Sequence, residues 1–320
     1  MPLKAQFYER ETYFRESFAD VVDILGPEWP AKLRDGALLM MKPEGLIAAK
    51  LETVHSFLVD HQFSVVAVED LALTGHRWRE LWRYQLTSAT LDRLTVNELA
   101  YGSGRALTLV LKSDPDHDLP ATVRLSTLKG SASLAAQVPG TLRSLLQQPN
   151  RVFSLVHFAD EPADLVRELG VLFDAPARRR LLTALGSGVI SAEDRVRLDR
   201  AIAQPADATR SLDLAPAVRR IDRALADHAA GRPGERDRVA ALRDELRRAA
   251  DGDPVEFRAF VRELSRTGCP VDTWDLTVLG SYAVTCDEPG HPKSLTNPDP
   301  QTWRTPAEQH ADQRLSSTRA

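Results

Sequence analysis

The residues able to do chemistry concentrate in three short segments. In MMKPEG (40–45) an apolar run ends in Lys42 and then turns, so an ammonium at the strand's exit can meet an anion while the backbone stays close. In PGTLR (139–143) Arg143 offers a planar fork of donors suited to a phosphate, with Thr141 in the same turn. In VHFADEPADLVRE (156–168) His157 ends another apolar run, Asp160 is placed to cap the next helix, and Pro162 fits that helix's first turn. An imidazole there lies near the positive end of a helix dipole, which favours a neutral ring or a bound phosphate. Glu168 sits two helical turns further on and reaches the ring where the strand-to-helix corner folds His157 back over the helix. Each segment alone also has an ordinary reading: a solvated strand-end lysine, a loop arginine, a structural histidine.

A sheet and several helices must bring these segments together. GALLMMK (36–42), FSVVAVEDLAL (63–73), residues 105–112 and RVFSLVHF (151–158) read as strands from their apolar or β-branched runs. Helical spacing covers 46–61, a helix capped by Thr74 runs through 76–85, shorter ones fall at 91–99 and 122–129, and another covers 160–173. Residues 130–150 form no element of their own, and so long a loop in a compact domain is functional or disordered. The alternation fits a ferredoxin-like split βαβ sheet or a doubly wound sheet, and periodicity does not choose between them. Ahead of it, residues 1–35 form an amphipathic helical leader broken at GPEWP (26–30). Behind it, residues 174–268 are a series of amphipathic helices, with Ser191 and Asp253 at helix starts. Residues 269–286, holding TWDLTVLGSYAV, read as a strand returning to the sheet, and 287–320 as a disordered tail rich in Pro, Asn, Gln and Ser.

At 320 residues the chain has room for two domains, and 43% hydrophobic content sustains a core. Its 41 Lys plus Arg against 45 Asp plus Glu, net −4, argue against a generally basic surface, so no nucleic-acid partner is expected. No run approaches the ~20 apolar residues needed to span a bilayer, and the first residues are too charged and aromatic for a signal peptide. A cytoplasmic protein without a membrane partner is expected. Two cysteines, Cys269 and Cys286, make neither a disulfide framework nor a four-thiolate zinc site, and no metal held by side chains is expected. Arginine greatly outnumbers lysine, as in ARRRLL and LRDELRRAA, a compositional habit spread over helix surfaces.

Taken in order, KPEG (42–45), PGTLR (139–143) and HFAD (157–160) resemble the KPDG, PGTIR and HGSD motifs of the nucleoside diphosphate kinase family. The resemblance spans about 36–173, less than half the chain, and PGTLR followed by a strand ending in His is its specific part. It implies an α+β fold: a ferredoxin-like antiparallel sheet domain, here joined to a mainly α-helical C-terminal region. It implies that His157 is phosphorylated, that Glu168 holds the imidazole through its other nitrogen, and that Lys42 and Arg143 contact phosphate. Arg124, offset from the family's second arginine, Thr141 and Ser154 complete the phosphate side, while Trp78, Trp82 and Tyr84 lie where the family clamps the base; Trp78 and Tyr84 are taken for that role. The family further implies ATP with Mg²⁺, a nucleotide or small-molecule acceptor, and a homo-oligomer. Departures are plain: Phe158 and Ala159 replace glycine and serine, Ser154 replaces an asparagine, with Asn150 nearby, and the threonine before the PGT loop falls near Ala132.

The leading expectation is therefore a phosphotransferase passing the γ-phosphoryl of ATP through phosphohistidine 157. The altered residues around His157 keep two alternatives open: a nucleotide-binding or scaffold protein with weakened catalysis, and a nucleotidyltransferase on the same fold.

Overall fold

The computed structural model describes residues 2–102, 104–114, 117–207, 209–296 and 299–303. Four strands, β1 (Gly36–Met41), β2 (Phe63–Leu71), β3 (Ala106–Ser113) and β4 (Val156–Phe158), form one sheet in the order β2-β3-β1-β4. Every neighbouring pair is antiparallel, so the fold is α+β and the doubly wound alternative falls. The fourth strand is shorter than its apolar run. The amides of Val152 and Phe153 donate to the Asn150 side chain at 3.0 and 2.9 Å, and Leu155 takes a φ of 61°, so pairing begins only at Val156.

The helices before the sheet are α1 (Pro2–Tyr8), α2 (Thr12–Leu25) and α3 (Trp29–Arg34). Among the strands lie α4 (Pro43–Ile47), α5 (Leu51–Asp60), α6 (Gly75–Leu81), α7 (Leu91–Gly102), α8 (Ala121–Lys129), α9 (Leu142–Leu146) and α10 (Pro162–Leu172). After them come α11 (Ala175–Ser187), α12 (Ala192–Ile202), α13 (Leu214–Gly231), α14 (Arg236–Ala250), α15 (Phe257–Thr267) and α16 (Thr273–Ala283).

The strand pleat sends alternate side chains to opposite faces, and both faces are covered. Leu38, Met40, Val66 and Val110 pack against Val21 of α2, Leu81 of α6, Leu165 and Leu169 of α10, and Leu181 of α11. Leu39, Met41, Leu109 and Leu111 pack against Val54 and Phe57 of α5, Leu125 of α8, and Leu142 and Leu146 of α9. A separate helical core joins Val96 of α7 to Ile221, Leu242, Phe257 and Leu279.

Three expectations from the C-terminal third are corrected. TWDLTVLGSYAV forms α16, not a returning strand. Asp272 caps it by accepting from the Trp274 and Asp275 amides, and residues 274–281 are all buried because α16 lies between the sheet's core and the helical core. A helix apolar on every side lacks the 3.6-residue rhythm and reads like a buried strand. Gly280 lets α16 approach closely, since a Cβ there would lie 2.5 Å from Val96 Cγ2 and 2.6 Å from Phe257 Cζ. The segment after Cys286 is held to the body where it is described. Asp287 pairs with Arg93 and Arg151, the Ser294 amide donates to Tyr84 O at 2.9 Å, and Leu295 is buried beside Tyr8. Residues 297, 298 and 304–320 of the expected disordered tail lie outside the described residues. The helix expected from Asp253 begins instead at Phe257, whose amide and that of Arg258 are capped from α7 by Asp92. No helix among the described residues is long and apolar enough to cross a membrane.

Candidate active site

His157 is the middle residue of edge strand β4, paired with Met40 of β1. Val156 and Phe158 point into the α5/α8/α9 side, so the pleat turns His157 to the other face, where α10 packs. There Nε2 lies 2.9 Å from Glu168 Oε1, spanning the strand-to-helix corner. The other ring nitrogen is also engaged: Trp82 Nε1 donates to His157 Nδ1 at 3.1 Å, with the two rings edge-on at 5.4 Å. An indole can only donate, so Nδ1 is the unprotonated nitrogen and Nε2 carries the hydrogen that goes to Glu168.

The histidine stands in the wall of a cleft of about 190 Å³, open to solvent. Pockets that bury most of a drug-sized ligand measure ~300–1,000 Å³, so this one suits a compact anionic group rather than a whole drug-sized ligand. Six cations line it: Lys42, Arg93, Lys129, Arg143, Arg151 and Lys293, with Asp160 the acid among the lining residues. Three of the chain's seven lysines are in this set.

The cations differ in how far their charge is committed. The Lys42 ammonium, 3% exposed, is 2.6 Å from Glu44 Oε1, 3.2 Å from Val152 O and 3.4 Å from Tyr101 Oη. The ammonium is thus enclosed by one ion-pair partner and two acceptors, and a phosphate reaches Lys42 only by displacing one of them. Burial opposes that ammonium, but the Glu44 carboxylate and Tyr101 outweigh it and raise its pKa. Gly45 closes the same turn, where a Cβ would lie 2.6 Å from Leu155 O, the carbonyl that accepts the Lys42 amide at 2.9 Å. The KPEG turn is thereby pressed onto the chain entering β4.

Arg143 donates Nη1 to Gly130 O at 3.0 Å, its Nε has no partner, and burial pushes the guanidinium down to about 10. It is a poorly solvated cation with donors to spare. Lys129 is 2.7 Å from Asp160 Oδ1. Burial alone would raise the Asp160 carboxyl, but Lys129 and the Ser126 hydroxyl at 2.6 Å hold it at about 2. Asp160 is therefore a fixed anion rather than the expected helix cap. That role belongs to Glu161, in a capping box with Asp164, whose carboxylate accepts the Glu161 amide at 2.9 Å.

Of the residues singled out from sequence, His157, Lys42, Arg143, Ser154 and Asp160 line the cleft, and Glu168 backs the imidazole. Four others are elsewhere. Arg124 stacks over Phe63 and donates to Ser113 and the His61 carbonyl, because its place on α8 faces β2 and β3. Trp78 is wholly buried against Tyr101 beneath α6. Tyr84 stacks on Phe7 and donates to Glu11 at 2.6 Å, on the leader side. Thr141 turns back, donating to Val138 O at 2.7 Å and filling the space left by the missing side chain of Gly130. Sequence reading missed Lys129, Arg93, Arg151 and Lys293, and passed over Trp82 for its neighbours. The scarcity of lysine is the signal that could have marked Lys129 and Lys293. Among the described residues no group of three or more His, Cys, Asp and Glu is placed to hold a metal ion.

No family model and no curated protein matches the chain. Among solved structures it is similar to an NDP kinase from Pyrobaculum aerophilum, at 18% identity over 44% of this chain and 97% of that one, with a TM-score of 0.33.

Proposed function

We propose that the protein is a phosphotransferase that carries a phosphoryl group on Nδ1 of His157, and that its strand order is that of a ferredoxin-like split βαβ sheet. The observation that carries the reading is the state of the imidazole. Its Nε2–H is fixed on Glu168 and its unprotonated Nδ1 stands at a small cleft rich in cations. A carboxylate behind the ring sets the tautomer and stabilises the imidazolium formed on attack.

In the step proposed, the Nδ1 lone pair attacks the terminal phosphorus of MgATP. The bond from that phosphorus to the bridging oxygen breaks, and its electron pair leaves on ADP. The Nε2 hydrogen stays on the ring, shared with Glu168, and an acceptor oxygen later reverses the transfer. Arg143 and Lys129 offer the positive charge that in-line transfer needs on the equatorial oxygens. Mg²⁺ arrives with the nucleotide as part of the substrate. Trp82 has to release Nδ1 before attack, because a lone pair cannot accept a hydrogen bond and form a bond to phosphorus together.

A second reading is favoured by that same hydrogen bond and by the enclosed Lys42: a phosphate-binding protein without transfer. Incubation with γ-labelled MgATP separates the two. Label that is acid-labile, base-stable and absent from His157→Ala is expected for the phosphotransferase. Binding of nucleotide by the folded protein with no label on His157 would refute it.

A further inference from the structure

Three cations of the cleft's lining come from parts of the chain beyond the nucleoside diphosphate kinase-like motifs. Arg93 is on α7, Arg151 precedes β4, and Lys293 is on the segment that follows α16. Asp287 holds the two arginines, at 2.7 Å from Arg93 and 2.5 Å from Arg151, and Ser88 donates to it at 3.1 Å. One carboxylate thus serves two guanidiniums. Lys293 has no hydrogen-bond or ion-pair partner among the described residues, although it lines the same cleft. Burial, then the like charges of Arg151 and Arg93, disfavour its ammonium more than the Asp287 and Asp160 carboxylates favour it. Clustered, partly desolvated cations with unspent donors are costly unless an anion joins them. The neighbouring aromatic rings offer nothing to a base: Tyr101 and Phe158 are buried, and Trp82 is committed between Tyr101 at 5.3 Å and His157 at 5.4 Å.

We infer that Arg93, Arg151 and Lys293 form a second anion subsite in the cleft, so that its ligand is a compact polyphosphate gripped at two points through its phosphates, with no contribution from a base. The inner point is Arg143 with Lys129, beside His157, and the outer point is Lys293 with its two arginines. The segment after Cys286 is then part of the binding site. Its hydrogen bonds to the stretch after Trp82, Glu288 N to Ser88 O at 2.7 Å and Ser294 N to Tyr84 O at 2.9 Å, hold the outer point in place. This inference rests on reading the cleft as a phosphate site, but its readout is binding and not transfer.

Calorimetric titration of the full chain with pyrophosphate and with tripolyphosphate, at fixed ionic strength near 0.15 M, tests it. The wild type is expected to bind tripolyphosphate at least about tenfold more tightly, the worth of one further charge-assisted contact. Lys293→Gln is expected to erase that preference and Lys293→Arg to keep it, with unfolding curves verifying that each variant is folded. A preference that survives in folded Lys293→Gln, or its absence from the wild type, overturns the subsite. A Lys293-dependent preference without label on His157 from ATP would leave the subsite standing and remove the phosphotransferase. Label without the preference would do the reverse.

Discussion

Replacing Trp82 with Phe removes one N–H and keeps an aromatic ring in its place, and the phosphohistidine reading gives that change a definite sign. The hydrogen bond lost is 3.1 Å long, from a half-buried indole to Nδ1. Bonds of this kind contribute ~0.5–1.5 kcal/mol net. If Nδ1 attacks phosphorus, the wild type spends that amount before each transfer and the variant does not, so labelling should quicken by about two- to tenfold. The smaller ring loses contact with Tyr101 and costs about 1 kcal/mol of stability, a typical value for one substitution. Rapid-quench labelling with γ-labelled MgATP reads the rate, and nitrogen NMR of His157 shows whether Nδ1 remains the unprotonated nitrogen under the control of Glu168 alone. Labelling that is unchanged, or slower in a folded Trp82→Phe, would mean that the indole does not restrain the nucleophile, and the argument from the two ring hydrogen bonds would fail.

Two further outcomes follow from the same geometry. Gly45→Ala forces a Cβ to within 2.6 Å of Leu155 O and 3.0 Å of Met41 Cε, so thermal melts should show a loss of about 1–3 kcal/mol, and an unshifted melting curve would contradict the close approach. Asp160 has a folded pKa of about 2 against an ordinary 3.8, so it contributes stability above pH 3.8 that is lost as pH falls through about 2. At about 1.4 kcal/mol per unit the contribution is roughly 2 kcal/mol. Urea melts between pH 5 and 2 should therefore show the gap between wild type and Asp160→Asn closing as pH falls, and a constant gap would remove Asp160 as the cause.

What could be read from the sequence was whatever local geometry enforces. His157 and Glu168 are joined by a strand, a corner and a helix, and that path leaves the carboxylate few places to go but the imidazole. Lys42 and Gly45 are equally local, tied by one turn to the chain that enters β4. Trp82 was not legible as the donor to Nδ1 because it arrives from 75 residues away, and Trp78 and Tyr84, close by in the chain, are as aromatic but turn into the interior. Lys293 was hidden in a stretch whose composition reads as solvent-exposed, where Asp287 and Leu295 supply the attachment. Helix α16 was misread because burial on every side erased its rhythm.

Both partners of the imidazole are fixed to each other through the leader. Arg167, one residue before Glu168 on α10, donates to Glu80 O at 2.8 Å and to Leu81 O at 3.1 Å, the last carbonyls before Trp82. The same guanidinium forks onto Glu11 at 2.5 and 3.1 Å, and Tyr84 donates to that carboxylate too. Further along, Lys4 reaches Glu161 and, at 2.8 Å, Asp164, which also accepts from Tyr8 at 2.6 Å. Gly170 permits the contact, since any side chain there would collide with the Tyr13 carbonyl of α2. Buried ion pairs of this sort add little net stability, because desolvation offsets their attraction. What they do set is register: with Arg167 paired to Glu11, α10 cannot slide along α6 without leaving a charge buried and alone. The backbones that carry the donor on Nδ1 and the acceptor on Nε2 are therefore held in one register, and residues 4–11 contribute to the orientation of His157 through them.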